Sequence, residues 1–299
     1  MKRVIINKLA TFLARTIGIP SFQKEIQEIR NAQIQQKHLQ FYYQHLSLQN
    51  LPLPKFSDVG FRVFSQTDED GILHFLFSVI GTTNKICLDI AFASPYGANT
   101  TNLIVNNGWN GILICGGVEE SENVKNFFLS HPDTHIYPPK VYQQWITAEN
   151  INDTVYKGLG DLHVQEEKID MLSLDIDGME YWIWKGLDIV EPRVVVVEYQ
   201  DIWGEKSVTA PYKPLFNRFD THPDYYGASL PALVKLAKHK GYRLVGCNRY
   251  GYNAFFIKNG IAEDMIPEIP VQDCLKHPKV RDGQKNRLPA VERLEWVEI

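Results

Sequence analysis

Carboxylates fall where short apolar runs of this sequence end. Asp89 closes the run Ile86–Ala91, Asp175 and Asp177 the run Met171–Ile176, and Glu198 the run from Arg193 to Tyr199. Between them, Gly111–Cys115 runs into Gly116-Gly117, with Glu119 and Glu120 just beyond. In open α/β sheets, ligands bind outside the carboxyl ends of the strands, near the point where strand order reverses. Acids placed there can accept hydrogen bonds from ribose hydroxyls or an ammonium group, bind a hard cation, or take a proton. Each alone also suits a helix N-cap, and Asp177-Gly178 before Met179 suits one well. Several converging on one edge argue for a shared site.

The elements that must position these acids alternate. Strands are expected at Ile86–Ala91, Gly111–Cys115, His135–Tyr137, Met171–Ile176 and Arg193–Tyr199, with helices at Thr100–Asn107, Glu119–Ser130, Ala148–Leu159 and Met179–Ile189. Strands apolar on both faces with helices between them imply a parallel sheet covered on both sides. A helix over Ala228–Lys240 ends at Gly241, and two strands follow, Tyr242–Cys247 and Tyr252–Lys258. The short Asn248–Gly251 connection reads as a hairpin, so the last strand should run antiparallel. Tyr226, the Asn248-Arg249-Tyr250 turn and Asn253 lie in or near segments able to cover the acid edge, and are the substrate-side candidates. Trp109, Trp182, Trp184 and Trp203 form a possible stacking set, although Trp182 and Trp184 cannot share a helix face.

Composition sets the outer limits. The 299 residues include 44% hydrophobic and 22% charged types, enough for a sizeable core and against global disorder. The net charge of -4 argues against a dedicated nucleic-acid binder, and no apolar run reaches the ~20 residues of a membrane helix. Cys87, Cys115, Cys247 and Cys274 lack metal spacing and read as reduced thiols in a cytoplasmic setting. Charge is uneven: residues 1–50 hold seven bases and two acids, +5, which leaves -9 for the remainder. The basic, acid-free stretch from Lys2 to Ile19 suggests a helix packed on its own domain, one lying on an anionic membrane surface, or one that docks a partner. Pro20-Ser21 should break it before a Gln-rich helix from Phe22 to about Leu46. The expected organisation is a helical region at 1–54, an α/β domain at 55–260, and a tail at 261–299 anchored by Val291, Leu294 and Trp296.

The run Ile169-Asp-Met-Leu-Ser-Leu-Asp175-Ile-Asp177-Gly178-Met-Glu180 resembles the signature of FkbM-type S-adenosylmethionine-dependent methyltransferases, Asp-x-Glu-Gly-x-Glu, with Asp177 for its first Glu. Trp184-Lys-Gly186 and Pro192–Glu198 follow at similar spacing. Phe64-Ser-Gln66-Thr-Asp-Glu69-Asp70-Gly71, Tyr226-Gly-Ala-Ser229 and Asn253-Ala-Phe-Phe256 resemble a subgroup of the family, so the likeness spans about residues 60–260. It implies a Rossmann-like class I methyltransferase sheet, mostly parallel with a closing antiparallel hairpin, behind a helical N-terminal extension. It implies S-adenosylmethionine near Asp89, Gly97, Gly116, Gly117, Glu119 and Asp175, and a hydroxyl acceptor on a sugar or small metabolite. Asp177, Glu180 and Glu198 are the catalytic candidates. By analogy with catechol-type enzymes, Asp175, Asp177 and Glu198 are candidate ligands for Mg²⁺.

The departures carry expectations of their own. Alanines replace glycines in Asp89-Ile-Ala91-Phe92-Ala93-Ser94-Pro95-Tyr96-Gly97, and no acid ends the second strand at Cys115-Gly116-Gly117. Phe92 adds bulk and Pro95 removes a backbone donor. The first loop is therefore expected to be too full for an ordinary cofactor pose. That leaves a second class open, a non-catalytic relative that binds or scaffolds.

Overall fold

The computed structural model describes residues 19–164 and 168–299, with side chains from residue 31 onward apart from residue 32. The expected basic helix from Lys2 lies outside the described residues except for Ile19. Helix α1 (Ile19–Leu48) continues through Pro20-Ser21, where a break was expected. A proline in the first turn of a helix removes only an N–H that has no intrahelical acceptor.

After α2 (Phe56–Val59) and α3 (Glu69–Ile80) the chain enters the alternation: β1 (Ile86–Ile90), α4 (Thr101–Asn107), β2 (Asn110–Cys115), α5 (Val118–Ser130), β3 (Lys140–Gln143), α6 (Ile151–Asp161), β4 (Lys168–Leu174), α7 (Glu180–Gly186) and β5 (Glu191–Glu198). A short strand β6 (Val208–Thr209), helix α8 (Leu230–His239) and the hairpin β7 (Tyr242–Cys247) and β8 (Asn253–Lys258) complete the domain. The seven-stranded sheet has the order β3-β2-β1-β4-β5-β8-β7. Its first five strands are parallel; β8 lies antiparallel between β5 and β7. This is the Rossmann-like sheet with a closing hairpin that the periodicity implies.

Strand β5 shows why the sheet is double-sided. Val195 and Val197 enter one core with α6, α7 and α8, whereas Val194 and Val196 enter the other with α3, α4 and α5. All four are fully buried, as alternating side chains of a covered parallel strand must be. The strand expected at His135–Tyr137 is corrected: those residues form turns after α5, and Ile136 is 85% exposed. Pro138-Pro139 cannot donate to a ladder, so pairing with β2 starts only at Lys140, opposite Ile112.

Residues 261–299 pack along the domain. Val291 is buried with Ile202, Trp203 and Val208, while Leu294 and Trp296 rest on that small core. Strand β9 (Val297–Glu298) pairs antiparallel with β6. Beneath it, the buried carboxylate of Asp201 meets Lys279 at 2.9 Å and Arg287 at 2.7 Å.

Candidate functional site

The site is built from the carboxyl ends of β1, β2, β4 and β5. Asp89 is buried at the end of β1 and accepts a 2.6 Å hydrogen bond from Thr100 Oγ1. Burial, with the Asp175 charge adding to it, pushes its carboxyl up to about 7. Ala91 follows with φ 68, the left-handed conformation that glycine usually supplies. Ala91 thus holds this turn without a glycine. Phe92 donates its N–H to Ile114 O at 2.9 Å and sends its ring into the core, 1% exposed, beside Phe128. The expected filled loop is corrected by this direction: Phe92 and the buried Pro95 do not line the cleft. Gly97 (φ 108) donates to Phe64 O at 2.7 Å and bridges to Ser65, which ties the loop to the segment before α3.

A cavity of about 90 Å³ opens at the ends of β1 to β4, lined by Ala91, Gly116, Trp145, Ile176, Met179 and Phe216, among others. The Trp145 ring lies against Gly116, 3.6 Å from where a Cβ would stand. Trp145 is 47% exposed and donates its Nε1–H to Pro214 O at 2.9 Å. Phe216 lies so close over Gly178 that a Cβ would meet its ring at 2.2 Å. Gly117 donates its N–H to Glu120 Oε2 at 3.1 Å, so Glu120 caps α5 while Glu119 points to solvent from the first turn. The stacking set proposed from sequence is also corrected. Trp109, Trp184 and Trp203 are core residues, and Trp182 is half-buried with its Nε1–H on Ala210 O. Trp145 is the indole at the cleft.

Next to this slot lies a cluster of buried acids. Glu180 Oε1 accepts from Gly178 N at 2.8 Å and Ile176 N at 3.2 Å, and its Oε2 is buried without a partner. Burial pushes this carboxyl up to about 8, against the pull of those two amides. Asp175, half-buried and hydrogen-bonded to Glu198, is pushed up to about 6 by burial and by the neighbouring Asp177. Glu198 is raised well above the carboxylate range by burial and then by Asp175. Its Oε2 is unpartnered too. Asn253 stands opposite Glu198 in the β5–β8 register. Asn253 and Asn248 both donate to Glu69 Oε1, at 3.2 and 2.7 Å, while Asn253 Oδ1 has no partner.

Asp177 behaves differently. It is exposed, has φ 56, and forms an ion pair with Arg218. Arg218 lies over the Tyr226 ring at 4.0 Å. Among the described residues no three His, Cys, Asp or Glu side chains are grouped to hold a metal ion, so the Mg²⁺ set of Asp175, Asp177 and Glu198 is corrected. The arrangement therefore offers a flat apolar slot beside buried, partly protonated carboxyls with unpartnered oxygens.

The structure brings Asp89, Asp175, Glu180, Glu198, Asn248, Asn253 and Tyr226 to one edge, and leaves Glu119 at the surface. Sequence reasoning missed Trp145, Phe216 and Arg218. Trp145 comes two residues after β3, the strand whose position was misjudged. Phe216 and Arg218 lie in an irregular stretch with no periodicity to place them. A second cavity, about 840 Å³, lies along edge strand β7 between Phe56, Phe75, Val245 and Ile266 and reaches Asp68 and Asn248.

No family model matches the chain, and no curated protein matches it. Solved structures do. The CcbJ methyltransferase from Streptomyces caelestis is 9% identical, with 61% of this chain and 87% of that one covered at a TM-score of 0.37. A SAM-dependent methyltransferase from Methanosarcina mazei is 14% identical, covering 57% and 90% at 0.34. An O-methyltransferase family protein from Burkholderia thailandensis is 12% identical, covering 64% and 59% at 0.35. The fold itself is read from the strand order, a mostly parallel α/β sheet closed by an antiparallel hairpin.

Proposed function

We propose that the protein is an S-adenosylmethionine-dependent O-methyltransferase of the FkbM type, acting on a hydroxyl of a sugar or other small metabolite. One observation carries the reading: the aromatic slot and the acid cluster both lie at the carboxyl ends of the strands beside the reversal of strand order between β1 and β4. The residues there fit the cofactor. Ala91 and Gly116 present only a methyl group and a hydrogen, and Trp145 and Phe216 present flat faces suited to a purine. When bound, the cofactor supplies a methyl group on a positively charged sulfur.

The chain's own residues then orient the acceptor and take its proton. Asn253 Oδ1 can accept a hydrogen bond from a ligand hydroxyl, and the raised carboxyls of Glu180 and Glu198 can donate one through an unpartnered Oε2. Asp175 and Glu198 hold a proton between them, and the Asp175 carboxylate, raised to about 6, is matched to accept one from a hydroxyl near neutral pH. Asp177 is not the base in this reading, because Arg218 neutralises it in solvent. Its ion pair fixes the covering segment 210–226 instead.

The slot of about 90 Å³ is narrower than the ~300–1,000 Å³ of ordinary small-molecule sites, so segment 210–226 must shift to admit a nucleoside. The same narrowness favours the second reading, a methyltransferase-like binding protein without activity. Calorimetric titration with S-adenosylmethionine and S-adenosylhomocysteine separates the two. Micromolar binding is expected, weakened about tenfold, or ~1.4 kcal/mol, in Trp145→Ala. A folded protein that gives no heat up to millimolar ligand overturns the enzyme reading.

A further inference from the structure

Helix α1 carries an apolar stripe that the described residues leave uncovered. Ile34, Phe41 and Leu48 are 57%, 65% and 80% exposed, and their seven-residue spacing sets them on one line of the helix. Tyr42 and Leu51 extend the exposed surface. The opposite face holds the helix in place. Gln36, Tyr43 and Leu46 are buried; Tyr43 meets Phe75 of α3 edge-on at 5.1 Å, and the His74 ring contacts Gln36 O at 2.7 Å. The stripe is therefore the outer face of a helix docked by its inner one.

The charge carried by the helix itself beyond Glu28 has one sign. Lys37, His38 and His45 fall between these apolar residues at three- and four-residue spacing, and the sequence has no Asp or Glu between Glu28 and Asp58. Across space, Asp133 accepts a hydrogen bond from Gln33 at the helix flank. The first 50 residues carry +5 against -9 for the rest.

We propose that the outer face of α1 rests on an anionic lipid bilayer, with Ile34, Phe41 and Leu48 entering the boundary between headgroups and acyl chains. A second copy docked through the same face would set one basic helix against another. Anionic headgroups instead offer the opposite charge, and the acyl boundary accepts the stripe. From Ile34 to Leu48 the contact runs ~21 Å along the surface. The acidic remainder is repelled by the same headgroups, which turns the sheet and its site away from the lipid.

Co-sedimentation of the full chain with vesicles tests this. Binding is expected to vesicles containing roughly 30% phosphatidylserine, weakening as salt rises, and not to pure phosphatidylcholine. The double variant Phe41→Ser with Leu48→Ser changes only exposed side chains, so its circular dichroism should match the parent. Its bound fraction should fall at least about fivefold. Three results overturn the proposal: no binding of the parent to anionic vesicles, binding undiminished in the double variant, or a dimer in light scattering that the double variant dissociates.

Discussion

Glu180 is 1% exposed, two amides point at one of its oxygens, and burial still raises its carboxyl to about 8. Asp89 and Asp175 are raised to about 7 and 6. An acid that holds its proton more firmly when folded makes the native state bind more protons between its ordinary pKa and its raised one. Its contribution is fully present below the ordinary carboxylate value and is lost as pH rises through the folded value. Stability should therefore fall from about pH 5 to pH 8, opposite in sign to a salt-bridged carboxylate. Glu180→Gln removes the titration and keeps the shape. Thermal melts should show the variant above the parent at pH 8 by roughly 3 °C or more, with the gap closing at pH 5. Equal melting temperatures at both pH values would count against the buried-acid reading.

Among the elements, strands buried on both faces were readable because they appear as unbroken apolar runs; Val194–Val197 is the clearest. The hairpin was readable from the length of its turn. Strand β3 was not, because it lies at the sheet edge with Lys140, Val141 and Tyr142 only half-buried and Gln143 exposed, so no apolar run marks it. Losing β3 also lost Trp145. The loop after β1 shows a different limit: a sequence gives a side chain's bulk but not its direction. Phe92 reads as an obstruction and is in fact a strut against Phe128 on α5. Phe92→Ala should cost ~3–5 kcal/mol in urea unfolding and leave cofactor affinity unchanged. Tighter cofactor binding in that variant would restore the filled-loop expectation.

Across the whole molecule, the cover over the acid edge is held from a distance. Segment 210–226 is flanked by β6, which pairs with β9, and Trp203 packs edge-on against Trp296 at 4.9 Å. Below them Asp201 joins Lys279 and Arg287, which also reaches Asp224 at 3.2 Å. The anchors Val291, Leu294 and Trp296 were legible as apolar residues in a polar tail. Asp201 was not, since its partners lie far along the chain. Asp201→Asn removes the negative end of this clasp and should cost ~2–4 kcal/mol, checked by the urea midpoint. An unchanged midpoint would mean the clasp adds nothing to stability.

The pairing of Val208 with Glu298 also imposes an order in time. Synthesis runs from the amino end, so every strand of the main sheet exists before β9 can reach β6. A nascent chain can thus complete its sheet while segment 210–226 is held by Asp177, Gly178 and Ala228 and still lacks the β9 tie. During that interval the cover has fewer ties, so it opens more readily to water, ligands and proteases. A small molecule with affinity for the acid cluster would meet it most easily then, and would be enclosed as β9 zips into place.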